Sequence, residues 1–337
     1  MSVWYPFSME GVYDVITIGT ATQDVFYPLT SDDFKFEKGA KAEVGAPFCS
    51  VGGGAINAAV SFARQGFKTA ALFRVGADSA GESIVRAIEK ENISAWARTD
   101  ARLPRVHGTA GVATGQSAIL LYPSGERTVL VHRGAADSLA LREIPFSELQ
   151  AKWIYIAPST IDRAVMKAIV DHCYAQGIFV AFNPSAAYCA DNGKYLKPLL
   201  SKIKVLLTNR EEAGMITGIA PAKEKEIFGR LDELVDGICV MTDGPRGVYV
   251  SDGNHIYIAG IFPDKNLVSR TGAGDAFGGG FVAGLIRTED IVYAIRLASA
   301  NATAVTEHLG AHNGALTRAQ FEKDARWRTL EILSTNI

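Results

Sequence analysis

The sequence has no stretch of about 18 consecutive apolar residues, which excludes a membrane-spanning helix. It has only four cysteines, Cys49, Cys173, Cys189 and Cys239, with no CxxC pair and no histidine cluster beside them. A disulfide scaffold is therefore excluded, and free buried thiols in a reducing compartment are expected rather than a zinc site. Nor is there a long run of one charge. The 34 Lys+Arg and 36 Asp+Glu residues leave a formal net charge of −2. Extensive nucleic-acid backbone binding and polybasic membrane anchoring are excluded on that balance. The opening residues, MSVWYPFSMEGVYDVITIGT, lack a basic segment followed by a long apolar one. A cytoplasmic protein that uses neither nucleic acid nor membrane as a partner is expected.

What is present fits a sizeable core: 337 residues, 48% of them hydrophobic and 21% charged. β-branched runs ending in turn residues alternate with helical patterns. YDVITIGT (13–20), KTAALFRVG (68–76), AKWIYIAP (151–158), IFVAFNP, KVLLTN and ICVMTDG read as buried strands. Between them lie helical segments such as GGAINAAVSFARQGF (53–67), AGESIVRAIEKENI (80–93), DRAVMKAIVDHCYAQG, one through GKYLKPLLSKI, and REEAGMITG. GVYVSDG and NHIYIAG add two strands, and two helices are expected to close the chain. Near-continuous apolar strands alternating with helices predict a mostly parallel sheet covered on both faces. Residues of about 25–50 and 112–135 break this grammar. The second stretch contains a hairpin around Pro123-Ser124-Gly125. Both are expected to form a small β-structure inserted into a single domain spanning 1–337.

Chemistry concentrates where glycines open helices. In SRTGAGDAFGGGFVAGL (269–285), Gly272-Ala273-Gly274 precede Asp275 at the start of a small-residue helix. The first amides of a helix lack intrahelical partners and carry the positive end of its dipole. Glycines there let backbone N–H groups approach an anion. Asp275 would sit beside that cradle, or would merely complement the dipole. The sequence contains no GxxxxGK[ST], so it is not a P-loop protein. GGGFVA (278–283) fits GxGxxA by letter but falls inside the helix, which argues against a dinucleotide-dependent oxidoreductase. Four further clusters stand at strand ends: Asp24 in GTATQD, Gly53 and Asn57 in SVGGGAIN, Asn209 and Glu212 in TNREE, and Thr242, Gly244 and Gly247 in TDGPRG. Strand carboxyl ends are where ligands of open α/β sheets bind.

GGGAIN, VGADSAG, NREE, TDGPRG and TGAGDAF occur in this order from about Asp14 to Gly310, and the sequence thereby resembles the ribokinase-like (phosphofructokinase-B) family of sugar and nucleoside kinases. The resemblance implies a three-layer α/β/α fold with a mostly parallel central sheet and a small β-lid over the substrate. It implies ATP-dependent transfer of the γ-phosphate to a hydroxyl of a sugar or nucleoside, with Asp275 as base and Gly272, Ala273 and Gly274 as anion hole. Asp24, Gly53 and Asn57 would hold substrate hydroxyls. Asn209, Thr242, Gly244, Gly247 and Gly274 would bind nucleotide, and Asn209 with Glu212 would position Mg²⁺, through water. Beside a helix N-terminus Asp275 is expected to stay ionised and to owe its strength to position rather than to a raised pKa.

Some positions depart from the family pattern. Ser269-Arg270 stand where the family carries Asp-Thr, the Asp serving a monovalent cation; independence of K⁺ is expected, with Arg270 lending charge near the anion hole. Gly54 replaces a lysine of ribokinases proper, and Pro158-Ser159 a glutamate. Tyr27, Arg127 and His132 are the lid positions considered for substrate selection. The lid's apolar side points to a homodimer. A sugar-binding sensor of the same fold, without catalysis, is the alternative that intact Asp275 argues against.

Overall fold

The computed structural model describes residues 13–35, 38–39, 41–96, 99–100, 103–104 and 112–336. The chain enters on β1 (Tyr13–Gly19), then leaves the main layer for β2 (Thr22–Pro28) and β3 (Phe48–Gly52). It returns through α1 (Gly54–Arg64), β4 (Thr69–Leu72), α2 (Ser79–Lys90) and β5 (Ser94–Ala95). Two-residue strands β6 (Thr99–Asp100) and β7 (Leu103–Pro104) pair with each other, and β8 (Gly115–Leu121) and β9 (Arg127–His132) form the expected hairpin. The second half runs β10 (Ala151–Ala157), α3 (Arg163–Gln176), β11 (Phe179–Phe182), α4 (Ala186–Gly193), α5 (Lys197–Leu200), β12 (Val205–Asn209), α6 (Arg210–Thr217), α7 (Glu224–Asp232) and β13 (Ile238–Thr242). It closes with β14 (Val248–Ser251), β15 (His255–Ala259), α8 (Ala273–Thr288), α9 (Ile291–Thr306), α10 (Arg318–Lys323) and β16 (Ile332–Asn336).

Ten strands form the main sheet in the order β16-β15-β14-β13-β12-β11-β10-β1-β4-β5. The seven from β13 to β5 are parallel and the remaining three antiparallel. Side-chain alternation divides the core between the two faces. Ile16, Ile18, Ile154 and Ile156 pack with Met166 and Ile169 of α3 on one side. Val15, Trp153 and Tyr155 pack with Phe62 of α1 and Phe281 of α8 on the other. Because both faces are covered, the central strands are apolar throughout, which is why they read as continuous runs. The small residues of α8 let α9 lie close against it: a Cβ at Gly284 would come within 2.5 Å of Ala294 Cα.

The two insertions meet as a separate four-stranded sheet, β3-β2-β8-β9, in which β2 and β8 are parallel. It stands past the carboxyl end of β1, joined to it by Thr20 and Ala21.

The structure corrects several expectations. The segment through GKYLKPLLSKI is not one helix. Helix α4 begins earlier, at Ala186, and α5 occupies only Lys197–Leu200. The chain does not close on two helices: α10 follows, and Ile332–Asn336 pairs with β15 as an edge strand. Its mostly exposed residues carry too little apolar alternation to reveal it. All four cysteines are free, but Cys49 on β3 is exposed rather than buried. Among the described residues no helix is long and apolar enough to cross a membrane.

Candidate active site

Gly272 caps α8 in the left-handed region at φ 83, and a Cβ there would fall 1.9 Å from the carbonyl oxygen of Ala311. Only glycine meets both conditions. The first intrahelical bond runs from Ala276 N–H to Gly272 O at 2.9 Å, so the amides of Gly274 and Asp275 precede the helix's own ladder. Gly274 is exposed, and nothing lies within 4 Å of where its Cβ would be. The backbone thus offers unpartnered donors to open space.

Asp275 lies at the junction of two adjoining cavities. One, of about 280 Å³, lies beneath the small sheet and is lined by Asp24, Gly53, Asn57, Ser117, Arg127 and Gly272 among others. The second, of about 340 Å³, extends across the ends of β11, β12 and β13 and is lined by Asn183, Thr208, Asn209, Glu212, Thr242 and Gly274 among others. Thr20, Ser159 and Asp275 line both.

The first cavity is built by alternation. Thr22 and Asp24 of β2, Ser117 and Ile119 of β8, and Arg127, Val129 and Val131 of β9 face it. Tyr27 and His132 do not line it, so of the three lid positions considered only Arg127 is brought to the site. Asp24 is buried and accepts from Thr22 Oγ1 at 2.9 Å; burial pushes its pKa up, against hydrogen bonds from Ser117 and Thr22. Gly53 caps α1 at φ 96. Asn57, one turn on, donates from Nδ2 to Asp275 Oδ2 at 2.8 Å. The partly exposed Asp275 carboxyl has protein packed around it, which raises its pKa; the Asn57 bond opposes this, and the Asp24 charge adds to it. This corrects the expectation that position alone, with an ordinary pKa, would make it a base.

In the second cavity Asn209 and Glu212 form a capping box on α6. Asn209 N–H donates to Glu212 Oε2 (3.0 Å), and Glu212 N–H to Asn209 Oδ1 (2.8 Å). Burial pushes the Glu212 pKa up to about 7. Thr242 ends β13 and lines the cavity; Gly244 and Gly247 line neither cavity. They shape the turn that follows, where Asp243 accepts from Arg210 Nε (2.7 Å) and from Arg246 Nη2 (2.5 Å). Gly247 is packed on the Ala259 carbonyl, whereas Gly244 is exposed with open space around it.

Ser269 is fully buried and caps its own turn: its Oγ accepts from Thr271 N–H at 3.2 Å. Arg270 Nε donates to Glu126 Oε1 at 3.0 Å in the turn between β8 and β9, and Arg270 lines neither cavity. Its charge is thus met by a carboxylate, which weakens the expectation that it lends charge to the anion hole.

The chain matches the model of the pfkB family carbohydrate kinases over residues 14–318. It belongs to that family. Kinases of this family are phosphotransferases, and so is this chain. A ribokinase of Haemophilus influenzae is 27% identical over 275 residues, covering 80% of this chain and 85% of that protein. The adenosine kinase of Sinorhizobium meliloti shares the fold at a TM-score of 0.77 and 20% identity, over 93% of this chain and 99% of the other. Arabidopsis thaliana ribokinase, solved with ribose and ATP, gives a TM-score of 0.74 at 18% identity, over 93% of this chain and 98% of the other.

Sequence reasoning missed several residues of the site. Thr20 and Asn183 follow β1 and β11, and the strand-end rule that singled out Asp24 reaches them equally. Tyr155, fully buried below α8, accepts from Asn183 Nδ2 at 3.2 Å. As one aromatic in an apolar strand it gave no signal. His312, in the loop after α9, gave none either.

Proposed function

We propose that the protein transfers the γ-phosphate of ATP to a hydroxyl of a furanose, either a free sugar or the sugar of a nucleoside, with Asp275 as the base. The observation that carries this reading is the place of Asp275. One carboxylate borders both a polar cavity beneath the small sheet and a cavity at unpartnered helix amides. Phosphoryl transfer asks for an in-line meeting of two substrates and for neutralisation of charge, and little covalent chemistry. The acceptor would lie with its hydroxyls on Asp24 and Asn57 and the reacting oxygen toward Asp275. The amides of Gly274 and Asp275 would receive the transferred group, Ala273 N–H being shared with Arg270 O at 3.4 Å. Asp275 would take the hydroxyl proton as the bond from the acceptor oxygen to phosphorus forms and the bond to the bridging oxygen of departing ADP breaks.

The nucleotide would occupy the second cavity, along Asn209, Thr242 and Gly274, with its outer part past the exposed Gly244. The fold shared with an adenosine kinase and with a ribokinase solved with ribose and ATP fits this arrangement. Mg²⁺ fits the same cavity as a water-carried ion. Among the described residues no group of three or more His, Cys, Asp or Glu could hold a metal. Mg²⁺ keeps several waters and binds through few carboxylates plus phosphates. Glu212, with only one oxygen engaged by the cap, and Asn209 would hold it; the ion supplies charge neutralisation when bound.

The whole chain would act as one kinase domain, the four-stranded sheet serving as a lid that excludes water. The lid would also join two copies. Among the described residues β9 is an edge strand with one side unpaired; it exposes Val129, Leu130 and Val131, and such an edge beside apolar side chains favours association. The test of function is ADP release from ATP and Mg²⁺ with ribose, fructose, adenosine, inosine and cytidine. Saturable turnover with one of them supports the reading. Saturable binding with no turnover would replace it with a sensor of the same fold.

A further inference from the structure

We propose that His312 is a positioning residue for Asp275: its imidazole fixes the Asn57 side-chain amide in the one orientation that donates to the base. The proposal rests on the reading of Asp275 as base and adds a residue to it.

The Asn57 amide is gripped at both ends. Nδ2 donates to Asp275 Oδ2 at 2.8 Å, and Oδ1 is 3.0 Å from His312 Nδ1. An ionised carboxylate only accepts, so the amide must turn its NH₂ toward Asp275. The amide oxygen also only accepts, so His312 must carry its proton on Nδ1. Rotating the amide by half a turn would keep its shape but set Oδ1 against the carboxylate and NH₂ against an N–H. Both contacts would become repulsive. His312 thereby chooses between two orientations that are equivalent in shape and opposite in electrostatics. Among the described residues Asp275 has no other hydrogen bond, so Oδ1 is left to meet the acceptor.

The rest of the structure holds the imidazole neutral and still. It is buried, which pushes its pKa down to about 4, with the Arg64 charge in the same direction and Glu91 opposing. Arg64 Nη1 donates to the carbonyls of His312, Asn313 and Ala315 at 3.2, 2.9 and 2.9 Å, and Arg64 is itself ion-paired with Glu91 at 2.6 Å. The residue before His312 is Ala311, whose carbonyl lies against Gly272. One loop therefore backs both the anion hole and the base. The other titratable groups near Asp275 come from separate elements: Asp24 on β2, Tyr155 on β10 and Glu212 on α6.

The test compares wild type with His312→Leu and His312→Gln, measured by ADP release with the best acceptor among ribose, adenosine and cytidine. Losing a charge-assisted bond to the base should lower kcat in the Leu variant by about tenfold or more, with the KM for ATP little changed. The acid limb of kcat/KM should move to higher pH, because the reversed amide disfavours ionised Asp275. Glutamine, whose Nε2–H can also donate to Asn57 Oδ1, should recover most of the loss. A Leu variant within about threefold of wild type with the same pH profile would overturn the proposal, since about threefold is less than the smallest net hydrogen bond to a charged group contributes. So would equal losses in both variants with an unmoved acid limb, the pattern of a merely structural role. A further readout needs no turnover: nitrogen-15 NMR of the wild-type imidazoles. His312 should hold its proton on Nδ1 from pH 6 to 8, values about two units or more above its depressed pKa. An Nε2–H tautomer, with Nδ1 unprotonated, would overturn the proposal, whereas an inactive wild-type enzyme would count against the kinase reading alone.

Discussion

Gly272 and Gly274 are both glycines of the α8 cradle, yet alanine should act oppositely at the two. At Gly272 the chain adopts φ 83, and the added methyl would lie 1.9 Å from Ala311 O. Left-handed backbone costs an ordinary residue about 1–2 kcal/mol, and forcing a methyl into packed backbone about 1–3, so Gly272→Ala should lose about 2–5 kcal/mol. At Gly274 the backbone is helical and nothing lies within 4 Å. Alanine there gains helix propensity of up to about 1 kcal/mol over glycine, so Gly274→Ala should be as stable as wild type or more so. Its methyl, however, enters the cavity proposed for the transferred phosphate, and kcat should fall. Urea unfolding at constant pH, paired with ADP-release kinetics, separates the two effects. A Gly272→Ala protein as stable as wild type would refute the packing argument. A Gly274→Ala protein with wild-type kcat would refute the placement of the phosphate.

Asp24→Ala should act on the acceptor and spare ATP: losing a charged hydrogen bond of about 1.5–3 kcal/mol raises the acceptor KM by roughly 10- to 150-fold, and equal effects on both substrates would remove Asp24 from the acceptor site. Burial holds the Glu212 pKa at about 7 in the folded state against an ordinary value of 4.5, so between these pH values the folded state keeps a proton that the unfolded chain has released, and this contribution to stability falls as pH rises from 4.5 to about 7. Glu212→Gln should flatten that fall in urea titrations without metal; an unchanged pH dependence would contradict the burial of this carboxylate. With Ser269 neutral, kcat/KM should be the same in K⁺, Na⁺ and choline chloride at constant Mg²⁺, and activation by K⁺ of about tenfold, or 1.4 kcal/mol, would refute cation independence. Leu130→Asp should convert the proposed dimer to monomers in sedimentation velocity; a monomeric wild type, or a variant that stays dimeric, would contradict an interface at the lid.

Legibility in the sequence followed locality. Val15, Ile16 and Ile18 announce a strand covered on both faces, and Gly272 to Asp275 carry their chemistry within four residues. Asp24, Gly53, Asn57, Asn209 and Thr242 all follow strands or open helices, where position in the fold can be deduced from position in the pattern. His312 and Tyr155 could not be found this way. Their contacts are with Asn57 and Asn183, 255 and 28 residues away. Arg270 shows the same limit: its partner Glu126 lies 144 residues earlier, in the turn between β8 and β9, and no local pattern pairs them. The raised pKa of Asp275 is not legible in the sequence, because a helix N-terminus is visible there while the protein packed around the carboxyl is not. The edge strand Ile332–Asn336 was missed because its exposed residues need no apolar period.

The proposed role of Asp275 as base is tested by kcat of Asp275→Asn at saturating acceptor and ATP, with nucleotide binding measured alongside. Asparagine keeps the shape, so the fold and the nucleotide affinity should persist while kcat falls by roughly 10²–10⁴, the contribution of a positioned base. A variant that retains more than about a third of wild-type kcat, a loss far below what removing such a group costs, would show that another group takes the proton.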